Sequence, residues 1–72
     1  MSEREHMTLY MVKNLALLLQ ENNPSLSMEQ ALSSVINSDT YQRVLNDNTR
    51  LYFQSPRYVY SFLDNELKTG KM

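Results

Sequence analysis

Ser55-Pro56-Arg57-Tyr58-Val59-Tyr60-Ser61-Phe62-Leu63-Asp64-Asn65-Glu66-Leu67 joins a helix start signal to the densest apolar face in the chain. The Ser55 hydroxyl suits the first free backbone N–H groups, and Pro56 suits the first helical position, where its missing donor costs nothing. At 100° per residue, Tyr58, Val59, Tyr60, Phe62, Leu63 and Leu67 share one arc, and Arg57, Ser61, Asp64 and Asn65 lie outside it. Four of the seven Phe and Tyr residues fall here or at the edge, counting Phe53. Large rings bring much buried area per residue, so this helix is expected to be the central packing element, with Phe62 as its buried anchor. Lys68-Thr69-Gly70 then supplies a cation and a left-handed residue to end it.

Working back from Ser55, Leu51-Tyr52-Phe53-Gln54 is too short for a period and reads as an extended or irregular connector pressing one or two rings inward. Asn46-Asp47-Asn48-Thr49 is a turn by composition. Before it, Ser38 or Asp39 caps a short helix from Thr40 to about Leu45 that buries Tyr41, Val44 and Leu45. Ser27 and Gln30 form a capping-box pattern, and Met28, Ala31, Leu32, Val35 and Ile36 make the inner stripe of the helix they open. Asn22-Asn23-Pro24 ends a first helix beginning near Thr8, whose inner arc holds Leu9, Met11, Val12, Leu15, Ala16, Leu18 and Leu19. Tyr10 and Leu17, seven residues apart, form a narrow apolar seam on its polar side. Residues 1–7 are expected to be a flexible lead-in and residues 8–69 a single all-α domain, a bundle of one long and three shorter helices. In that bundle the first and last helices pack together, with the middle pair across them.

The totals exclude several classes of function. Seventy-two residues make one domain, and seven Lys and Arg against eight Asp and Glu leave a net charge of −1. Such a balance gives no whole-molecule attraction to nucleic acid or anionic lipid. The absence of cysteine removes disulfides and thiolate metal sites and fits a reducing, cytoplasmic setting. Neither a secretory leader nor a membrane span is visible. With one histidine, His6, in the lead-in and one glycine in the chain, there is no Glu-x-x-His pair and no phosphate loop. No catalytic residue, metal ligand or cofactor is therefore assigned, and an enzyme is not expected. Glu66 falls in the middle of the last helix's apolar arc, about 80° from Tyr58. It reads as a last-turn carboxylate reaching water or a tyrosine hydroxyl rather than as a functional acid.

The run Thr49-Arg50-Leu51-Tyr52-Phe53-Gln54-Ser55-Pro56-Arg57-Tyr58-Val59-Tyr60, with Leu63 and Glu66-Leu67, resembles a family of small uncharacterised bacterial proteins sharing a Leu-Tyr-aromatic-Gln-Ser…Tyr-Val-Tyr signature. The likeness extends upstream through Ala31-Leu32 and Asn37-Ser38-Asp39-Thr40-Tyr41. It implies a compact helical fold and a bacterial cytoplasm, in company with mobile or toxin-antitoxin-type genes, and supplies no catalytic residue. Leu51 to Ser55 also matches the core of a plant-virus protease cleavage site used to remove tags. Thr49 stands where that site begins with Glu, and the segment runs into a helix cap, so it reads as native structure.

Two non-enzymatic readings follow. In the first, Tyr10, Leu17, Tyr52, Tyr58 and Tyr60 contact a protein partner or a second copy, since tyrosine combines buried area with a polar tip. One of the three later tyrosines is expected to be largely exposed. In the second, helices two and three form a helix-turn-helix in which Gln42, Arg43 and Asn46 face bases and Arg50 and Arg57 face phosphates. The linking turn lacks glycine, and Asp39 and Asp47 flank the reading helix. The first reading is preferred.

Overall fold

The computed structural model describes residues 2–70. Across them run α1 (Glu3–Asn22), α2 (Met28–Ile36), α3 (Asp39–Leu45), a 3₁₀ turn (Leu51–Phe53) and α4 (Pro56–Thr69), with no strand among the described residues. The all-α expectation of one long and three shorter helices is what the chain adopts.

The helix caps explain most boundaries. The Ser27 hydroxyl accepts from Gln30 N–H at 3.1 Å while Gln30 Oε1 accepts from Ser27 N–H at 2.9 Å, closing the capping box that opens α2. The Ser55 hydroxyl accepts from Tyr58 N–H, and Gly70, at φ 77°, ends α4 by donating to the Glu66 carbonyl. Ser38 is buried between two helices, donating to Val35 O at 2.6 Å and accepting from Tyr41 N–H at 3.0 Å. One hydroxyl thus closes α2 and opens α3.

Helix α1 starts earlier than the apolar pattern predicts. Residues 3–7 are helical because Ser2 caps them: its hydroxyl accepts from Glu5 N–H and donates to the Glu5 carboxylate at 3.1 Å. Acidic residues in this first turn also complement the helix dipole. Arg4 extends from the same turn to the Leu45 carbonyl at 2.7 Å and to Asp47 at 3.0 Å, tying it to the end of α3. The Leu51–Gln54 connector is likewise corrected: Leu51 to Phe53 forms a 3₁₀ turn that buries Leu51 and leaves Phe53 outside. The left-handed Arg50, at φ 54°, precedes it.

The hub of the bundle is α1, not α4. Of the eleven buried apolar side chains among the described residues, α1 supplies Met11, Val12, Leu15, Ala16 and Leu19, whereas α4 supplies Val59 and Leu63. Helices α2 and α4, the 3₁₀ turn and α3 all pack on α1, and α3 also meets α4. A 20-residue helix presents more turns to its neighbours than any other element here, and that outweighs the density of rings on α4. Phe62 is only half-buried, edge-on to Tyr58 with centroids 5.2 Å apart. In α3, Thr40 and Val44 are fully buried and Tyr41 half-buried, while Leu45, expected inside, is exposed.

Candidate functional site

The five aromatic and apolar residues expected to face a partner divide into two groups. Tyr10, Leu17 and Tyr58 are 61%, 42% and 52% exposed. Tyr52 and Tyr60 are half-buried and engaged within the chain. Of the three later tyrosines, Tyr58 is the largely exposed one. Tyr52 stacks on Phe53 at 4.6 Å, lies under the Arg4 guanidinium at 5.8 Å and donates its hydroxyl to Asp47 at 3.3 Å. These contacts make Tyr52 the floor of a surface rather than a free contact. Phe53 is 56% exposed and joins the set; the sequence pattern missed it because three residues carry no readable period.

Backbone geometry brings Phe53 to Tyr10. His6, Met7 and Tyr10 on α1 border Tyr52, Phe53 and Gln54, enclosing a shallow apolar hollow. One turn further along α1, Asn14 and Leu18 border Ser55, Pro56 and Arg57 around a second hollow. Tyr10 and Gln54 border the first hollow and Asn14 and Ser55 the second, so the two follow one another along α1 and the connector, with Asn14 donating its amide to the Tyr10 carbonyl at 2.8 Å. The connector therefore lies beside the Tyr10 seam without covering it.

Tyr60 does a different job. Among the described residues its hydroxyl is the buried side-chain polar atom left without a hydrogen bond. The Asn22 amide, which donates to the Leu18 carbonyl at 2.9 Å, lies nearby and lowers the Tyr60 pKa. Burial and the Asp64 carboxylate push the Tyr60 pKa up, against smaller opposing effects of Asn22 and Lys68.

Glu66 is neither the free acid nor the solvent-directed carboxylate that the helical wheel allowed. It crosses to α3, where Oε2 accepts from Asp39 N–H at 2.7 Å and Oε1 accepts from Thr40 N–H at 2.9 Å and the Thr40 hydroxyl at 2.8 Å. These are the unpaired donors of a helix start, where negative charge is favoured. Burial raises the carboxyl pKa, but the hydrogen bonds from Asp39 and Thr40 outweigh it and hold the group below the usual glutamate range. Glu66 is committed to structure.

The residues of the alternative DNA reading, Gln42, Arg43, Asn46, Arg50 and Arg57, are all exposed. Arg50 borders a hollow with Asp47, Asn48, Tyr52 and Phe53, whereas Arg57 lies beside Asn14 and Leu18. A reading helix presents its N-terminal residues to the bases. Here that end carries Asp39 and the Glu66 carboxylate, which phosphates would repel.

No group of three or more His, Cys, Asp or Glu able to hold a metal occurs among the described residues. No described helix is long and apolar enough to cross a membrane. Comparisons with protein-family models, curated proteins and solved structures yield no match.

Proposed function

We propose that this chain is a non-enzymatic protein–protein interaction module presenting the outer side of α1 and the adjoining 3₁₀ turn to a partner. The observation that carries this reading is the exposure of Tyr10 and Phe53 around one hollow, with Leu17 and Tyr58 also open to solvent. Aromatic residues on a shallow surface are the usual anchors of protein interfaces. The spending of Glu66 on α3 favours a binding role over acid–base chemistry, and the carboxylates at the start of α3 weigh against the helix-turn-helix alternative. A bacterial cytoplasmic setting belongs to the same proposal through the Leu-Tyr-Phe-Gln-Ser…Tyr-Val-Tyr resemblance.

The test is co-purification from the source cells with a C-terminal tag, comparing wild type with a Tyr10→Ser, Phe53→Ser variant. Both changed side chains are exposed, so the variant should keep its helical circular dichroism and melting curve. Proteins recovered with wild type and lost with the folded variant support the reading. Identical recovery with both overturns it, as does a monomeric chain with which no protein, an untagged copy of itself included, is recovered.

A further inference from the structure

The exposed side of α1 carries a charge pattern as well as an apolar seam. At 100° per residue, Glu3, His6, Tyr10, Lys13 and Glu21 all lie within about 40° of Leu17. All six side chains are exposed. Lys13 stands four residues before Leu17 and Glu21 four after it. Neither makes an ion pair or hydrogen bond within the chain among the described residues.

We propose that the Lys13 to Glu21 part of this stripe is covered by the same part of a second copy, the two α1 helices antiparallel about a two-fold axis at Leu17. This rests on the interaction-module reading and names the partner for the Leu17 end of that surface. In that register Leu17 meets its own mate, and Lys13 of each copy is level with Glu21 of the other. Two opposite-charge pairs thereby flank an apolar contact, as an isologous interface requires. A parallel pairing sets Lys13 beside Lys13 and Glu21 beside Glu21. Sliding the antiparallel helices until Tyr10 faces Leu17 sets Glu21 level with His6 but brings the two Lys13 residues together near the axis. Charge complementarity thus selects one arrangement among the three. A seam one helix wide is small beside the usual 800 Å² or so per partner, so the association is weak and salt-sensitive.

Sedimentation at high micromolar concentration should show wild-type dimers that dissociate as salt rises. Lys13→Glu and Glu21→Lys should each weaken the dimer about tenfold, because attraction becomes repulsion at two symmetric places. The doubly reversed chain, K13E/E21K, should recover wild-type association. Because the chain has no cysteine, Leu17→Cys gives a single thiol that should form an interchain disulfide under mild oxidation. Tyr10→Cys should not, since its mate would lie about 21 Å away along the helices. A monomeric wild type, charge reversals without effect, a double variant that fails to rescue, or equal cross-linking at both positions overturns the proposal. A monomer whose co-purifying proteins are nonetheless lost with the Tyr10, Phe53 variant refutes the dimer alone; a monomer with no such proteins refutes the interaction reading as well.

Discussion

Replacing Glu66 with alanine should destabilise the domain through α3 rather than through the core. The carboxylate accepts three hydrogen bonds, at 2.7, 2.9 and 2.8 Å, from Asp39 N–H, Thr40 N–H and the Thr40 hydroxyl. A hydrogen bond to a charged group contributes about 1.5–3 kcal/mol net. The three do not add fully, because Glu66 is partly exposed and water can reach Asp39 once the side chain is gone. A loss of about 2–3 kcal/mol is expected, against roughly 4–11 kcal/mol for a domain of this size. At about 4–8 °C per kcal/mol, the melting temperature should fall by roughly 10–20 °C. Glu66→Gln keeps one acceptor oxygen but turns an amide against one donor, so about 1–2 kcal/mol is expected.

Thermal and urea unfolding followed by circular dichroism measures both, and acid titration adds the decisive control. The folded pKa of Glu66 is lowered, so between the folded and unfolded values the unfolded chain binds more protons. The stabilisation is complete above the unfolded value of about 4.3 and disappears as pH falls through the folded pKa. The gap between wild type and Glu66→Gln should therefore close in acid. An unchanged melting curve for Glu66→Ala near neutral pH, or a gap as wide in acid as at neutrality, would refute this reasoning.

Two further outcomes concern α4. Tyr60→Phe should be neutral or stabilising by up to about 1 kcal/mol, since it removes a buried hydroxyl with no hydrogen bond. The raised Tyr60 pKa makes wild type lose stability as pH climbs above the unfolded value of about 10; denaturation at alkaline pH should show a smaller loss for the phenylalanine variant. Leu63→Ala should cost about 2–5 kcal/mol in urea unfolding. Phe62→Ala should cost less than the usual 3–5 kcal/mol because Phe62 is half-buried, and the opposite ranking would restore Phe62 as the anchor.

Local chemistry was legible and long-range chemistry was not. Ser27 with Gln30, Ser55 with Pro56, and Gly70 each act within four residues, so their boundaries could be placed from the sequence. The same logic extends to Ser2-Glu3-Arg4-Glu5, a Ser-x-x-Glu capping-box pattern, but without apolar residues to mark a helix it reads as a charged tail. Glu66 could not be placed, because its partners lie 26 and 27 residues upstream and a helical wheel contains no neighbours. The wheel also ranked α4 above α1 by counting rings, although burial follows from how many elements a helix touches. Of the candidate surface, the Tyr10–Leu17 seam was visible as a spacing. The contribution of Phe53 needed the fold to bring the 3₁₀ turn beside Met7 and Tyr10.

The 20 residues of α1 make a rod about 30 Å long, almost the full 33 Å of the molecule's longest dimension. Its inner side is clamped by the core, and its first turn is fastened to Leu45 and Asp47 through Arg4. Tyr10 and Leu17 are therefore mounted on backbone that is already ordered before anything approaches. Binding on this side must immobilise a few side chains and no loop, which removes one of the larger entropic penalties of association. A contact too narrow to succeed on flexible chain can form on such a support, with specificity set by the spacing along the rod.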